Sequence, residues 1–140
     1  MNRLTRRPLT VSEKIEARIA RRKGDVYLRA DFGEFGSYNQ VGLALRQLVR
    51  EGKLTKIGQG IYARAGVSPL DGTIIPANGL YRLTEEAFRR LGIPTGLTTM
   101  QQAYSEGRTT QVPTGRVIGV GRRVRRKIGF KGASMAYELV

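Results

Sequence analysis

The sequence predicts an α+β fold: a helix-rich N-terminal half closed by a hairpin, then a small α/β segment that ends in antiparallel strands. Three observations predict it. Apolar residues recur at helical spacing twice before residue 52, two short β-prone runs then flank a Gly-Gln-Gly turn, and the tail alternates β-prone runs with glycine turns. At 140 residues the chain suits one ordinary domain, or a compact module with a smaller companion.

The first helix is expected over 11–23. Ser12, Glu13 and Glu16 supply the polar and acidic first turn that the helix dipole favours. Val11, Ile15 and Ile19, with Ala17 and Ala20, make the apolar stripe, while Arg18, Arg21, Arg22 and Lys23 load the C-terminal end before Gly24. Val26-Tyr27-Leu28 reads as a short extended piece, and residues 29–32 allow about one helical turn before Gly33 and Gly36 interrupt it. Ser37 then stands as an N-cap to a helix over 38–51, with Gly52 as its C-terminal stop. Val41, Ala44, Leu45 and Leu48 fall at i, i+3, i+4 and i+7 and form its buried face. The runs 53–57 and 61–64 flank Gly58-Gln59-Gly60, which predicts a hairpin whose Leu54, Ile57 and Tyr62 reach the core. A turn-rich stretch at 65–72 is taken as the module boundary. Beyond it the pattern predicts a helix from Glu85 to Leu91 capped by Thr84, a short helix from Thr99 to Ser105, and strands over 116–120, 124–130 and 134–139. The expected organisation is a basic arm at 1–10, a first module at 11–66 and a smaller α+β unit at 73–140.

Composition narrows the chemistry. Cysteine and histidine are both absent, which removes disulfides, thiolate metal sites, the commonest zinc ligand and the commonest general base. No catalytic residue, metal ligand or cofactor is therefore expected. No apolar run reaches the length of about eighteen residues that reads as a membrane span. Twenty-five Lys and Arg against eleven Asp and Glu leave a net charge of +14, the electrostatic footprint of a polyanion binder. The first eight residues are Arg-rich without the apolar stretch of a secretory signal, so a bacterial, cytoplasmic and nucleoid-associated location is expected.

Helix, brief second helix, capped third helix and glycine-tipped hairpin is the order of a winged helix-turn-helix, whose third helix enters the major groove of double-stranded DNA. The outward residues of helix 38–51 suit that role: Ser37, Tyr38, Asn39, Gln40, Leu43, Arg46, Gln47 and Arg50. Arg pairs bidentately with guanine and Asn or Gln with adenine, an apolar side chain meets a thymine methyl, and a capped helix N-terminus binds phosphate. An ordinary solvated helix face would look the same taken alone; the charge and the hairpin favour the DNA reading. Lys53, Lys56, Gln59 and Arg64 are the expected wing contacts. Arg3, Arg6 and Arg7 form a basic arm suited to a minor groove. Arg116, Arg122, Arg123, Arg125, Arg126, Lys127 and Lys131 form a second basic cluster, suited to phosphate or to an acidic protein partner. In a strand over 124–130, Arg125 and Lys127 would share one face, and Val124, Arg126 and Ile128 the other.

The stretch SYNQVGLALRQLVREGKLTKIGQGIYAR (37–64) resembles the winged helix of AbiEi-type antitoxins and related regulators of plasmids and mobile elements. The resemblance continues in GTIIPANGL (72–80), TTQVPTG (109–115) and VRRKIGFKGASMAYEL (124–139). It implies a transcriptional regulator that represses its own operon, with 37–51 as recognition helix and 53–64 as wing. It further implies an antitoxin that counters a nucleotidyltransferase-like toxin, although this chain is shorter than fuller members of that group. Double-stranded DNA is thus the expected partner, with a cognate toxin and a second copy of the chain as further ones.

Other classes fit less well. Glu51-Gly52-Lys53 with Asp31 has the acidic and basic spacing of a metal-dependent nuclease, but such three-residue matches arise readily by chance. Single-stranded RNA modules display aromatic platforms, whereas aromatics here total 7% and Tyr62, Phe130 and Tyr137 read as core. A protein-interaction module that covers an acidic toxin cleft with the basic tail is the third alternative.

Overall fold

The computed structural model describes residues 7–140. Helix α1 (Val11–Arg21) starts at Thr10, whose hydroxyl accepts the Glu13 N–H at 3.2 Å while Glu13 accepts the Thr10 N–H at 2.8 Å. This reciprocal box satisfies two of the helix's otherwise unpaired donors. Strand β1 (Val26–Leu28) leads into a 3-10 helix (Arg29–Phe35), and Ser37 caps α2 (Tyr38–Arg50). The hairpin follows as β2 (Leu54–Gly58) and β3 (Ile61–Val67), and β4 (Ile74–Pro76) pairs with the far end of β3. The sheet is antiparallel in the order β1-β3-β2, with β4 beside β3.

Alternation along these strands sends side chains to two cores. Tyr27, Leu54 and Tyr62 pack with Ile15, Phe32 and the buried side of α2. Their neighbours Val26, Ile57, Ile61 and Ala63 point the other way, into a second cluster with Leu83, Phe88, Ile118 and Ile128. The sheet is therefore the middle of three layers. The segment 65–72 carries the end of β3 and the turn to β4, and the second cluster draws on residues from both sides of it.

The far layer is built on α3 (Leu80–Leu91), followed by β5 (Thr95–Gly96), α4 (Thr99–Ser105), β6 (Val117–Val120), the small hairpin β7 (Gly129–Phe130) and β8 (Ala133–Ser134), and β9 (Ala136–Leu139). Two polar ties hold α3 to the sheet side. The Glu86 carboxylate accepts the N–H groups of Asp25 and Val26, the latter at 2.9 Å. Arg90 pairs with Asp31 of the 3-10 helix, whose carboxylate also accepts the Leu28 N–H at 2.9 Å.

Three sequence expectations for this half need correction. Helix α3 begins at Leu80 behind Gly79, and Thr84 lies inside it, fully buried, with its hydroxyl donating to the Leu80 carbonyl at 2.7 Å. A threonine satisfied by the preceding turn has no capping to do. Residues 122–127 form no strand: the ladder is confined to β7 and to one bridge between Gly58 and Ile128. Val124 and Ile128 still pack on the second core by their side chains alone. The tail is not wholly antiparallel either, because β9 runs parallel to β6 in the register Val117–Ala136 to Val120–Leu139.

Candidate nucleic-acid interface

Helix α2 is fixed from beneath by Val41, Ala44, Leu45 and Leu48, all buried. Its other side faces out: Asn39, Leu43, Arg46, Gln47 and Arg50 are exposed, Leu43 at 58%. Asn39, Leu43, Arg46 and Arg50 stand at i, i+4, i+7 and i+11, one row along the helix. A row so mounted is held by the core rather than by its own contacts.

The start of α2 is more constrained than its composition suggests. Gln40 is the partner in the capping box: its Oε1 accepts the Ser37 N–H at 2.8 Å, and the Ser37 hydroxyl accepts the Gln40 N–H at 3.1 Å. That occupies the Gln40 carbonyl oxygen expected to read a base, and leaves Ser37 its hydroxyl proton to donate. Tyr38 is 69% exposed, and the Arg29 guanidinium lies 3.6 Å from its ring centre while donating to the Tyr38 carbonyl at 3.1 Å. Gly42 makes room for this: a Cβ there would stand 1.7 Å from Arg29 Nη2.

The hairpin divides its expected contacts into two groups. Lys56 is exposed and two residues from Leu54, hence on the sheet face that carries α2, and Gln59 is exposed at the turn, where Gly60 takes φ +70°. Arg64 and Lys53 are committed elsewhere. Arg64 donates to Asp25 at 3.1 Å and to the Gly24 carbonyl at 3.2 Å, with its guanidinium over Tyr27. Lys53 bridges Glu16 at 3.0 Å and Glu51 at 3.5 Å. Gln47 also reaches a neighbour, donating to Glu51 at 3.0 Å.

The second basic cluster is split in the same way. Arg125, Arg126 and Lys127 come to the hairpin tip and share a depression with Lys56 and Gln59. Their backbone is pinned there by the Gly58–Ile128 bridge and by the Tyr137 hydroxyl, which donates to the Arg126 carbonyl at 2.7 Å. Arg122 and Arg123 continue this run past Leu91 and Ile93. Arg116 precedes β6, and Lys131 sits in the β7–β8 turn at φ 47° with its ammonium 5.4 Å from the Phe130 ring; neither joins the hairpin depression. Of the arm, Arg7 folds back on Glu13 in a two-pronged pair at 2.6 and 2.8 Å. The Arg7 guanidinium and the Thr10 N–H hold the Glu13 carboxyl down at about 2. Arg3 and Arg6 lie outside the described residues.

The carboxylates of the nuclease alternative are engaged in structural pairs. Burial pushes the Asp31 carboxyl up, but hydrogen bonds from Arg90 and the Leu28 N–H outweigh it and leave it below its ordinary value. Glu51 is likewise lowered, chiefly by its hydrogen bond from Gln47.

A family model described as a family of unknown function, DUF6088, matches residues 11–137. The chain belongs to that family. The match runs from α1 into β9, so the DUF6088 unit includes both cores and the basic run at the hairpin tip. No curated protein and no solved structure matches the chain. Among the described residues of this DUF6088 protein, no helix is long and apolar enough to cross a membrane. Two features of the site were not anticipated from its sequence: the Arg29–Tyr38 stack and the seating of 125–127 against the hairpin. The first had a signal, since a glycine inside a helical pattern costs stability against alanine and so calls for a packing reason.

Proposed function

We propose that the chain binds double-stranded DNA sequence-specifically through a winged helix-turn-helix and acts as a transcriptional regulator of its own operon. The observation that carries this reading is the outward row of α2, mounted on a locked core and flanked by cations at the hairpin tip. The order α1, β1, 3-10 helix, α2, β2, β3 and the strand arrangement β1-β3-β2 support it, with a 3-10 turn in the place of the second helix.

In this reading α2 lies in the major groove. Arg46 and Asn39 meet base edges, and Leu43 meets a thymine methyl. Ser37 donates to a phosphate, and Lys56, Arg125, Arg126 and Lys127 hold the backbone beside the groove. Gln40, Lys53 and Arg64 frame the site instead of touching DNA. The further role of an AbiEi-like antitoxin rests on the resemblance at 37–64, 72–80, 109–115 and 124–139, and coexpression with a nucleotidyltransferase-like toxin tests it. Rescue of growth is the expected result.

A salt titration of duplex binding tests the DNA reading. Each phosphate contact contributes about −0.9 to the slope of log affinity against log salt, so four contacts give about −3.6. A selected operator should bind more tightly than random duplex at every salt concentration. If duplex binding is absent at low salt while an acidic protein partner is retained, the DNA reading fails and the interaction-module reading replaces it.

A further inference from the structure

Between the 3-10 helix, the start of α2 and the hairpin tip lies an open cleft of about 510 Å³. That is within the usual size of small-molecule sites. Leu28, Val41, Ile61 and Leu91 give it apolar walls, Arg29 and Arg126 contribute two guanidinium groups, and no acidic residue lines it. Arg29 Nε is buried and has no hydrogen-bond partner among the described residues. A buried donor on a cation that lacks an acceptor is costly unless a ligand supplies one.

We infer that this cleft binds a small organic anion with an apolar body, of the aromatic carboxylate class. The apolar walls favour burial of a hydrocarbon ring, which a bare phosphate does not offer. The two guanidinium groups favour a carboxylate, with which Arg forms strong charge-assisted hydrogen bonds. One wall belongs to α2 (Tyr38, Val41) and another to the hairpin turn (Gln59, Gly60), so an occupant touches both parts of the proposed DNA surface. It would therefore change duplex affinity. That consequence rests on the DNA reading; the binding itself does not.

The test is an amide NMR titration of the full chain with naphthoate at physiological salt, alongside neutral naphthalene methanol and inorganic phosphate. Shifts should concentrate at Ala30, Gly33, Gly60 and Ile61. The neutral alcohol and phosphate should each bind at least about tenfold more weakly, the value of one charge-assisted hydrogen bond. Arg126→Gln should weaken naphthoate by a similar factor. Gly33→Leu should weaken it too, because Gly33 lines the cleft and a Cβ added there meets no atom of the described residues within 4 Å, so the larger side chain takes cleft space without a clash at its base. Shifts that follow the basic run 116–127 instead, phosphate binding as tightly as naphthoate, or unchanged affinity in both variants would overturn the inference. Fluorescence anisotropy with a labelled duplex, with and without naphthoate, then separates the two readings. Cleft shifts without any duplex binding leave the anion site standing and remove the DNA role; duplex binding without cleft shifts does the reverse.

Discussion

Replacing Gly42 by alanine sets two opposed effects against each other, and the structure says which one wins. Glycine in a helix interior is about 1 kcal/mol worse than alanine, so the substitution alone would stabilise α2 by that amount. The new Cβ, however, would stand 1.7 Å from Arg29 Nη2, and the guanidinium must leave its place over Tyr38. Its departure removes a partly exposed cation–π contact, about 0.5–1 kcal/mol, and the hydrogen bond to the Tyr38 carbonyl, about 1 kcal/mol. The losses total about 1.5–2 kcal/mol, so Gly42→Ala should destabilise the protein by about 0.5–1 kcal/mol. In an Arg29→Ala background the obstruction is gone, and the same change should stabilise by about 1 kcal/mol. Urea unfolding of the four proteins measures this directly, and the expected coupling is about 1.5–2 kcal/mol. Additive effects, with coupling below about 0.5 kcal/mol, would refute the claim that Gly42 is there to make room for Arg29.

On DNA, Arg46→Ala should relax preference at one base position at a cost of about 1–3 kcal/mol, whereas Lys56→Ala should weaken all sequences alike and reduce the salt slope by about 0.9. Anisotropy on operator and random duplex separates them, and identical behaviour would end the division into base reader and phosphate anchor. Asp31 titrates below its ordinary value of 3.8 in the folded chain, so its contribution is complete above that value and is lost as pH falls through the lower, folded one. Urea midpoints of Asp31→Asn should therefore approach those of the parent under strongly acid conditions, diverge as pH rises toward 3.8, and keep a constant separation above it. Phe88 is fully buried with its ring 5.6 Å from Tyr137, and Phe88→Ala should cost about 3–5 kcal/mol. Hydrogen exchange should show protection falling in α3 and in β1–β3 together, since Val26, Ile57, Ile61 and Ala63 of those strands share the core that Phe88 fills.

The N-terminal half was legible because its signals are local. Ser37 capping α2, the period of Val41, Ala44, Leu45 and Leu48, and the glycines of the hairpin turn each act within a few residues, and the structure realises all three. The outward row was legible for the same reason, as the complement of the buried stripe. What failed depended on distant partners. Thr84 carries the residue type of a cap, but only the placement of α3 against β1 and the second core buries it. The alternation of Val124, Arg126 and Ile128 imitates a strand, yet the run meets the β2 edge in one bridge, Gly58 to Ile128, and residues 122–127 form no ladder. The parallel pairing of β9 with β6 spans the whole 121–135 crossover, and no local residue announces it. The charge of Arg64 is visible in the sequence, but its pairing with Asp25, nearly forty positions away, is not.

The anchoring of the hairpin turn has a consequence for association. A β-turn that waved in solvent would have to be immobilised by each target it met, and the entropy of that ordering would be subtracted from affinity. Here the Gly58–Ile128 bridge and the Arg29 N–H donated to the Gly60 carbonyl hold both ends of the turn when the chain folds. The spacing between turn and helix is thereby a property of the unbound molecule, and under the proposed reading a target that does not match that spacing would bind more weakly.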